Sequence, residues 1–199
     1  MDFSVRVMKK YFIIFLFVMF AGFINSSYQK AQDAFYRGDY AEAVKGFKLL
    51  AEQGDPRGQY GLAIMHDLGE GLPQSSKKAL QYYRAAAEQG FADAQNNLGV
   101  MYDQGEGVEN NYKEALKWYQ LAAENGNRDA PNNIGVLYMT GLGIPRDFVM
   151  AHKWFTVAGA RDIEAKRNKK FVEKRLTNEQ IEESKQFAEE WKKKVMKIQ

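Results

Sequence analysis

AQNNLGVMYDQGEGV, residues 94–108, returns as APNNIGVLYMTGLGI at residues 130–144, an offset of 36. The same step backwards lands on GQYGLAIMHDLGEGL at residues 58–72. A second segment obeys the same period: ALQYYRAAAEQG (79–90), ALKWYQLAAENG (115–126) and AHKWFTVAGARD (151–162), with AVKGFKLLAEQG (43–54) one step earlier. Ala43, Ala79, Ala115 and Ala151 fall in register, as do Phe47, Tyr83, Tyr119 and Phe155. A period in the range of 20–50 residues is the mark of a stacked repeat architecture, in which each unit buries its apolar face only against its neighbours.

Each unit reads as two helices. In the first half Ala94, Leu98, Gly99 and Tyr102 lie at i, i+4, i+5 and i+8, one face of a 3.6-residue period, and Ala115, Trp118, Tyr119, Ala122 and Ala123 do the same in the second. Small residues alternate with large ones, so antiparallel helices can approach closely while aromatic rings fill the gaps between units. The glycine pairs 69/71, 105/107 and 141/143 mark the turn inside each unit, where a helix ends in a left-handed conformation that side chains resist. No third glycine follows at dinucleotide-fingerprint spacing and no strand precedes, so the pair reads as a turn rather than a phosphate cradle. Pro131 falls in the first turn of its helix, a position that tolerates proline.

The pattern A-x3-L-G-x2-Y-x2-G-x-G-V followed by A-x2-W-Y-x2-A-A-E-x-G resembles the Sel-one-like repeat, a relative of the tetratricopeptide repeat with a longer loop between its helices. Residues 94–126 carry it fully; the unit from Arg128 departs at Gly159, Ala160 and Asp162, and the unit from Arg57 has Ala63 and His66 where the family prefers Gly and Tyr. The resemblance implies an all-α, right-handed solenoid of antiparallel helix pairs closed by a carboxyl-terminal capping helix. The expected divisions are a leader at 1–27, a tetratricopeptide-like capping pair at 28–56, repeats at 57–91, 92–127 and 128–162, and amphipathic capping helices at 163–199. In that last stretch Thr177 and Gln180 have capping-box spacing, and Ile181, Ser184, Ala188, Trp191, Val195 and Ile198 form an apolar seam. The seam covers the open end of the array; a dimerisation or partner-helix seam is the rival reading.

The amino terminus has a different character. Arg6, Lys9 and Lys10 precede an apolar run of about 14 residues from Tyr11, a basic n-region and an h-region. This predicts a cleaved signal peptide and an exported protein, periplasmic or secreted; an uncleaved anchor, with membrane contact only through the leader, is the alternative. The chain has no cysteine, so disulfides and thiolate metal sites are excluded and the fold is held by packing. Residues 28–160 carry 13 basic and 16 acidic side chains, and residues 161–199 carry 12 basic and 8 acidic. That balance lacks the strong basic excess of nucleic-acid binders, so no nucleic-acid partner is expected.

Nothing in the sequence assembles chemistry. The two histidines, His66 and His152, stand at core or near-core repeat positions and read as structural; there is no H-E-x-x-H helix and no G-x-S-x-G elbow. No catalytic residue, metal site or cofactor is expected. The resemblance implies a non-catalytic interaction module that binds a peptide or protein segment on its concave helical face. Carried over from tetratricopeptide relatives, the groove positions are Tyr60 and Ile64 in the first unit, Asn96, Asn97 and Val100 in the second, and Asn132, Asn133 and Val136 in the third. Paired Asn amides can donate to and accept from an extended backbone; the same amides could instead hydrogen-bond between units. A cell-wall glycan binder or hydrolase-associated protein is the alternative from a different class.

Overall fold

The computed structural model describes residues 25–159 and 162–196. The leader expected at 1–27 lies outside the described residues except for its last three positions, which are helical, and Ile198 of the predicted seam also lies outside them. Among the described residues every regular element is a helix: α1 (residues 25–36), α2 (Tyr40–Glu52), α3 (Pro56–Leu68), α4 (Ser76–Glu88), α5 (Ala92–Gln104), α6 (Tyr112–Glu124), α7 (Ala130–Thr140), α8 (Phe148–Ala158), α9 (Ile163–Glu173) and α10 (Asn178–Met196). None is long and apolar enough to cross a membrane. The chain forms an all-α repeat solenoid, and divides into two compact units, Met1–Gln74 and Ser75–Gln199, within the loop of the unit expected at 57–91.

The 36-residue period sets where helices start. Asp39, Ser75, Asn111 and Asp147 stand 36 residues apart, and each side chain accepts a hydrogen bond from a backbone N–H in the first turn of the following helix. Such caps satisfy donors the helix cannot satisfy itself and contribute about 1 kcal/mol each.

In the first unit α1 and α2 meet where a Cβ on Gly46 would come within 2.6 Å of the Ala31 Cβ, and Gly61 of α3 faces the Phe47 ring of α2. In the second unit α4 packs on α5, α5 on α6, α6 on α7, α7 on α8, and α8 on both α9 and α10. Gly99 lies against the Tyr119 ring and Gly135 against Phe155; a Cβ at Gly99 would stand 2.6 Å from a ring carbon. Glycine inside a helix costs about 1 kcal/mol relative to alanine. Burying a ring of 150–250 Å² returns about 4–6 kcal/mol as an upper bound, so the closer approach wins.

The second glycine of each loop does more than end a helix. Gly107 has φ +70°, and a Cβ there would lie 2.6 Å from the Ser76 carbonyl oxygen at the start of α4. Gly143 meets Tyr112 at the start of α6, and Gly71 meets Tyr40 at the start of α2, each contact reaching 31 residues back. Each loop therefore rests on the first turn of the second helix in the preceding unit.

At the carboxyl end the capping box forms as its spacing predicts: Thr177 N–H donates to Gln180 Oε1 (2.9 Å) and Gln180 N–H to Thr177 Oγ1 (3.3 Å). Ser184 and Ala188 of α10 are buried. The Trp154 ring of α8 meets Phe187 (5.7 Å between centroids) and Trp191 (4.7 Å) edge-on, so Phe187 belongs to the seam as well.

Candidate functional site

Five asparagines of the second unit, four on the first helices α5 and α7 and one on α9, form two hydrogen-bonded sets that link successive helix pairs. Asn133 Nδ2 donates to Asn96 Oδ1 (3.0 Å), Asn96 Nδ2 to Asn97 Oδ1 (3.5 Å), and Asn168 Nδ2 of α9 to Asn132 Oδ1 (3.5 Å). Beside these sets, Gln95 donates to the Ala87 carbonyl (3.0 Å) and accepts from Asn125 (2.9 Å), and Asn127 donates to Asp93 (2.8 Å). Asn96 and Asn132 are 7% and 8% exposed. An unmet buried amide costs about 1–3 kcal/mol, which these pairings avoid. They place Asn96 and Asn132 in the seam between repeats. Asn97 and Asn133 are half-buried, and among the described residues Asn97 Nδ2 and Asn133 Oδ1 carry no bond.

Val100 and Val136 are half-buried and lean on the cores of successive pairs, Val100 on the cluster holding Tyr119 and Ile134, Val136 on that holding Phe155 and Val172. Tyr60 and Ile64 lie half-buried on α3 in the first unit.

Of these residues, Asn132 and Asn133 enter a groove of about 1090 Å³ in the second unit. Asn132 and Asn133 line one wall with Pro131 and Asn127; Trp191 and Val195 of α10 line the other. Sequence reasoning missed Asn127, Trp191 and Val195 as lining residues. None recurs at the repeat period, and the groove exists only because α10 folds back over α8. Asn168 carried a signal, since it stands 36 residues after Asn132 and 72 after Asn96.

The titratable groups at core positions serve the fold. Tyr119 donates its hydroxyl to Asp103 Oδ2 (3.2 Å). Burial raises the Asp103 carboxyl above the usual carboxylate range, against the lowering effect of that hydrogen bond. Burial, with the Asp103 charge, pushes the Tyr119 phenol far above its ordinary value, so it remains a donor. His66 Nδ1 lies 3.0 Å from the Pro73 carbonyl, where a protonated Nδ1 donates. His152 is fully buried, with Nε2 3.2 Å from Glu173 Oε1 and Nδ1 without a partner among the described residues. Burial pushes its pKa down, Glu173 opposes the shift, and Lys169 and Lys185 add to it, so the ring is neutral at neutral pH.

Three consecutive segments, residues 56–91, 92–127 and 129–162, match the Sel1 repeat and together cover more than half of the chain. The chain belongs to the Sel1 repeat family. Sel1 repeat proteins are generally protein–protein interaction modules, and the fold is typically a non-catalytic scaffold. Among solved structures, a Sel1 repeat protein from Oxalobacter formigenes is similar over 78% of this chain at 31% identity, with a TM-score of 0.61. A protective antigen present in uropathogenic Escherichia coli strains, displaying an SLR fold, is similar over 77% at 29% identity, with a TM-score of 0.59. This chain spans 63% of the first structure's chain and 41% of the second's. No curated protein matches the sequence.

Proposed function

We propose that this Sel1 array is an exported, non-catalytic adaptor that holds a peptide or protein segment against its first-helix face. The proposed contacts in the second unit are Asn97, Asn133, Val100 and Val136, with Asn96 and Asn132 orienting them; Tyr60 and Ile64 are the proposed contact positions of the first unit, on α3. The observation that carries the reading is the groove of about 1090 Å³, with Asn133 on one wall and Trp191 and Val195 on the other. Such a cleft joins amide atoms that can pair with a peptide backbone to an aromatic wall that can shelter an apolar side chain. The basic leader followed by an apolar run supports the export half of the proposal.

The test is capture from native envelope extract by the full chain, compared with Val195→Glu and with the double variant Asn97→Ala, Asn133→Ala. Val195 is half-buried at the groove and outside the buried core, so its substitution is expected to abolish capture while leaving the melting temperature in place. Asn133→Ala also removes the bond to Asn96, and a stability loss of about 1 kcal/mol accompanies it. Equal recovery of the same protein by wild type and Val195→Glu refutes the groove as the contact surface.

A further inference from the structure

Helix α9 has two faces of opposite kinds. Its inner face sends Ala165 and Val172, both fully buried, into the cluster with Ala151 and Phe155 of α8. Its outer face carries Ile163, Lys166, Arg167, Lys170, Phe171 and Lys174, at i, i+3, i+4, i+7, i+8 and i+11, one stripe of a 3.6-residue period. All six are exposed, Ile163 at 82% and Phe171 at 47%, and the six together line a shallow depression of about 460 Å³.

The basic surface continues beyond the helix. The Arg175 guanidinium stacks 4.0 Å from the Phe171 ring centroid and 5.3 Å from Phe148, and Arg146 lies 5.6 Å from the Phe148 ring. Phe171 and Phe148 thus space two arginines beside the lysine stripe. Two acidic side chains flank the stripe: Glu164, whose contact with Arg167 (3.5 Å) is highly exposed on both sides and weak, and Glu173, which lines a hollow with Lys166 and Lys170 and lies against the buried His152. Four cations along one stripe and two arginines joined to it through the Phe171 and Phe148 rings make a local excess of positive charge, which acts together over about 8–10 Å in physiological salt.

We propose that this outer face of α9, with Arg146 and Arg175, docks on an anionic phospholipid bilayer. Three features favour lipid over an acidic polypeptide. The two apolar side chains are exposed among the cations on a shallow, open face, as suits insertion at the boundary between headgroups and acyl chains. Half of the cations are lysines, point charges on flexible stems that meet phosphates without a fixed geometry. The exposed stripe is a helix face, which offers no strand edge for backbone pairing with an extended peptide. None of the six stripe residues lines the groove, although Glu164, the partner of Arg167, does, so the two surfaces adjoin without sharing their contact residues.

The experiment is co-sedimentation of the full chain with phosphatidylglycerol-containing vesicles and with pure phosphatidylcholine vesicles, at low and high salt. The apolar amino-terminal segment is common to wild type and variants, so differences between them report α9. Each basic side chain near an anionic surface strengthens attachment about fivefold, so K166Q/K170Q/K174Q is expected to lose on the order of a hundredfold in partitioning. I163S/F171S keeps the charges; it is expected to weaken binding about tenfold while retaining the preference for anionic vesicles. Circular dichroism checks that both variants remain folded, and the salt dependence of wild type alone tests the proposal if one does not. Binding indifferent to phosphatidylglycerol, to salt or to the lysine substitutions overturns the proposal. So does capture of polyglutamate by wild type in place of vesicles, which would assign the face to an acidic protein.

Discussion

Tyr119 and Trp154 are both rings buried on second helices of the same unit, and they are held by opposite means. Tyr119 lies on Gly99, where a missing side chain leaves room for the ring, and its hydroxyl finds Asp103. Trp154 lies against Phe187 and Trp191 of a helix outside the repeat, and its indole N–H has no acceptor among the described residues. Leaving that group unmet costs about 1–3 kcal/mol, which the burial of the aromatic cluster offsets. The repeated contact solves both shape and polarity. The terminal contact is adhesive, strong through area and indifferent to detail.

The contrast is tested most sharply at Trp154. Trp154→Ala is expected to cost about 4 kcal/mol and to release α10 first, so Trp191 fluorescence should change at lower urea than the helical signal. Coincident transitions would show that the end and the middle of the unit melt together, and the distinction between them would fall. Gly107→Val probes the repeated side. The strained φ and the 2.6 Å approach to Ser76 predict a loss of about 3 kcal/mol by urea denaturation. A loss below about 1 kcal/mol would show the loop to be as forgiving as the tail.

The smallest effect concerns His152, which stands where Leu80 and Leu116 stand in the two preceding units. Its native pKa is lowered by burial from the ordinary value of 6.5. Between those two values the unfolded chain binds a proton that the native state refuses, so stability rises with pH there and falls as acid passes below about 6.5. The slope is at most about 1.4 kcal/mol per pH unit. His152→Leu is expected to flatten that slope between pH 7 and pH 5 in thermal melts. An unchanged slope would place the acid sensitivity elsewhere.

The sequence showed what the period repeats and missed what it does not. Glycine pairs and ring positions were legible because each recurs in register, whereas the caps at 39, 75, 111 and 147 share the period but vary among Asp, Ser and Asn and went unread. The asparagines were legible as a set, but a period along the chain does not reveal that Asn133 bonds Asn96, since that depends on how the units stack. Phe187 escaped the predicted seam because Ser184 and Ala188 already satisfied the helical spacing, and only the position of Trp154 selects it. The groove wall at Trp191 and Val195 was invisible for the same reason: it comes from one helix folding back.

Gly71, Gly107 and Gly143 each touch a residue 31 positions earlier, at the first turn of the second helix in the preceding unit. That reach fixes how such a gene can change length. Inserting or deleting one residue anywhere inside the 31 shifts a loop off its seat, whereas duplicating or excising a whole 36-residue stretch leaves every seat intact. Recombination between copies is therefore a tolerated route to longer or shorter arrays, and small indels inside the unit are not.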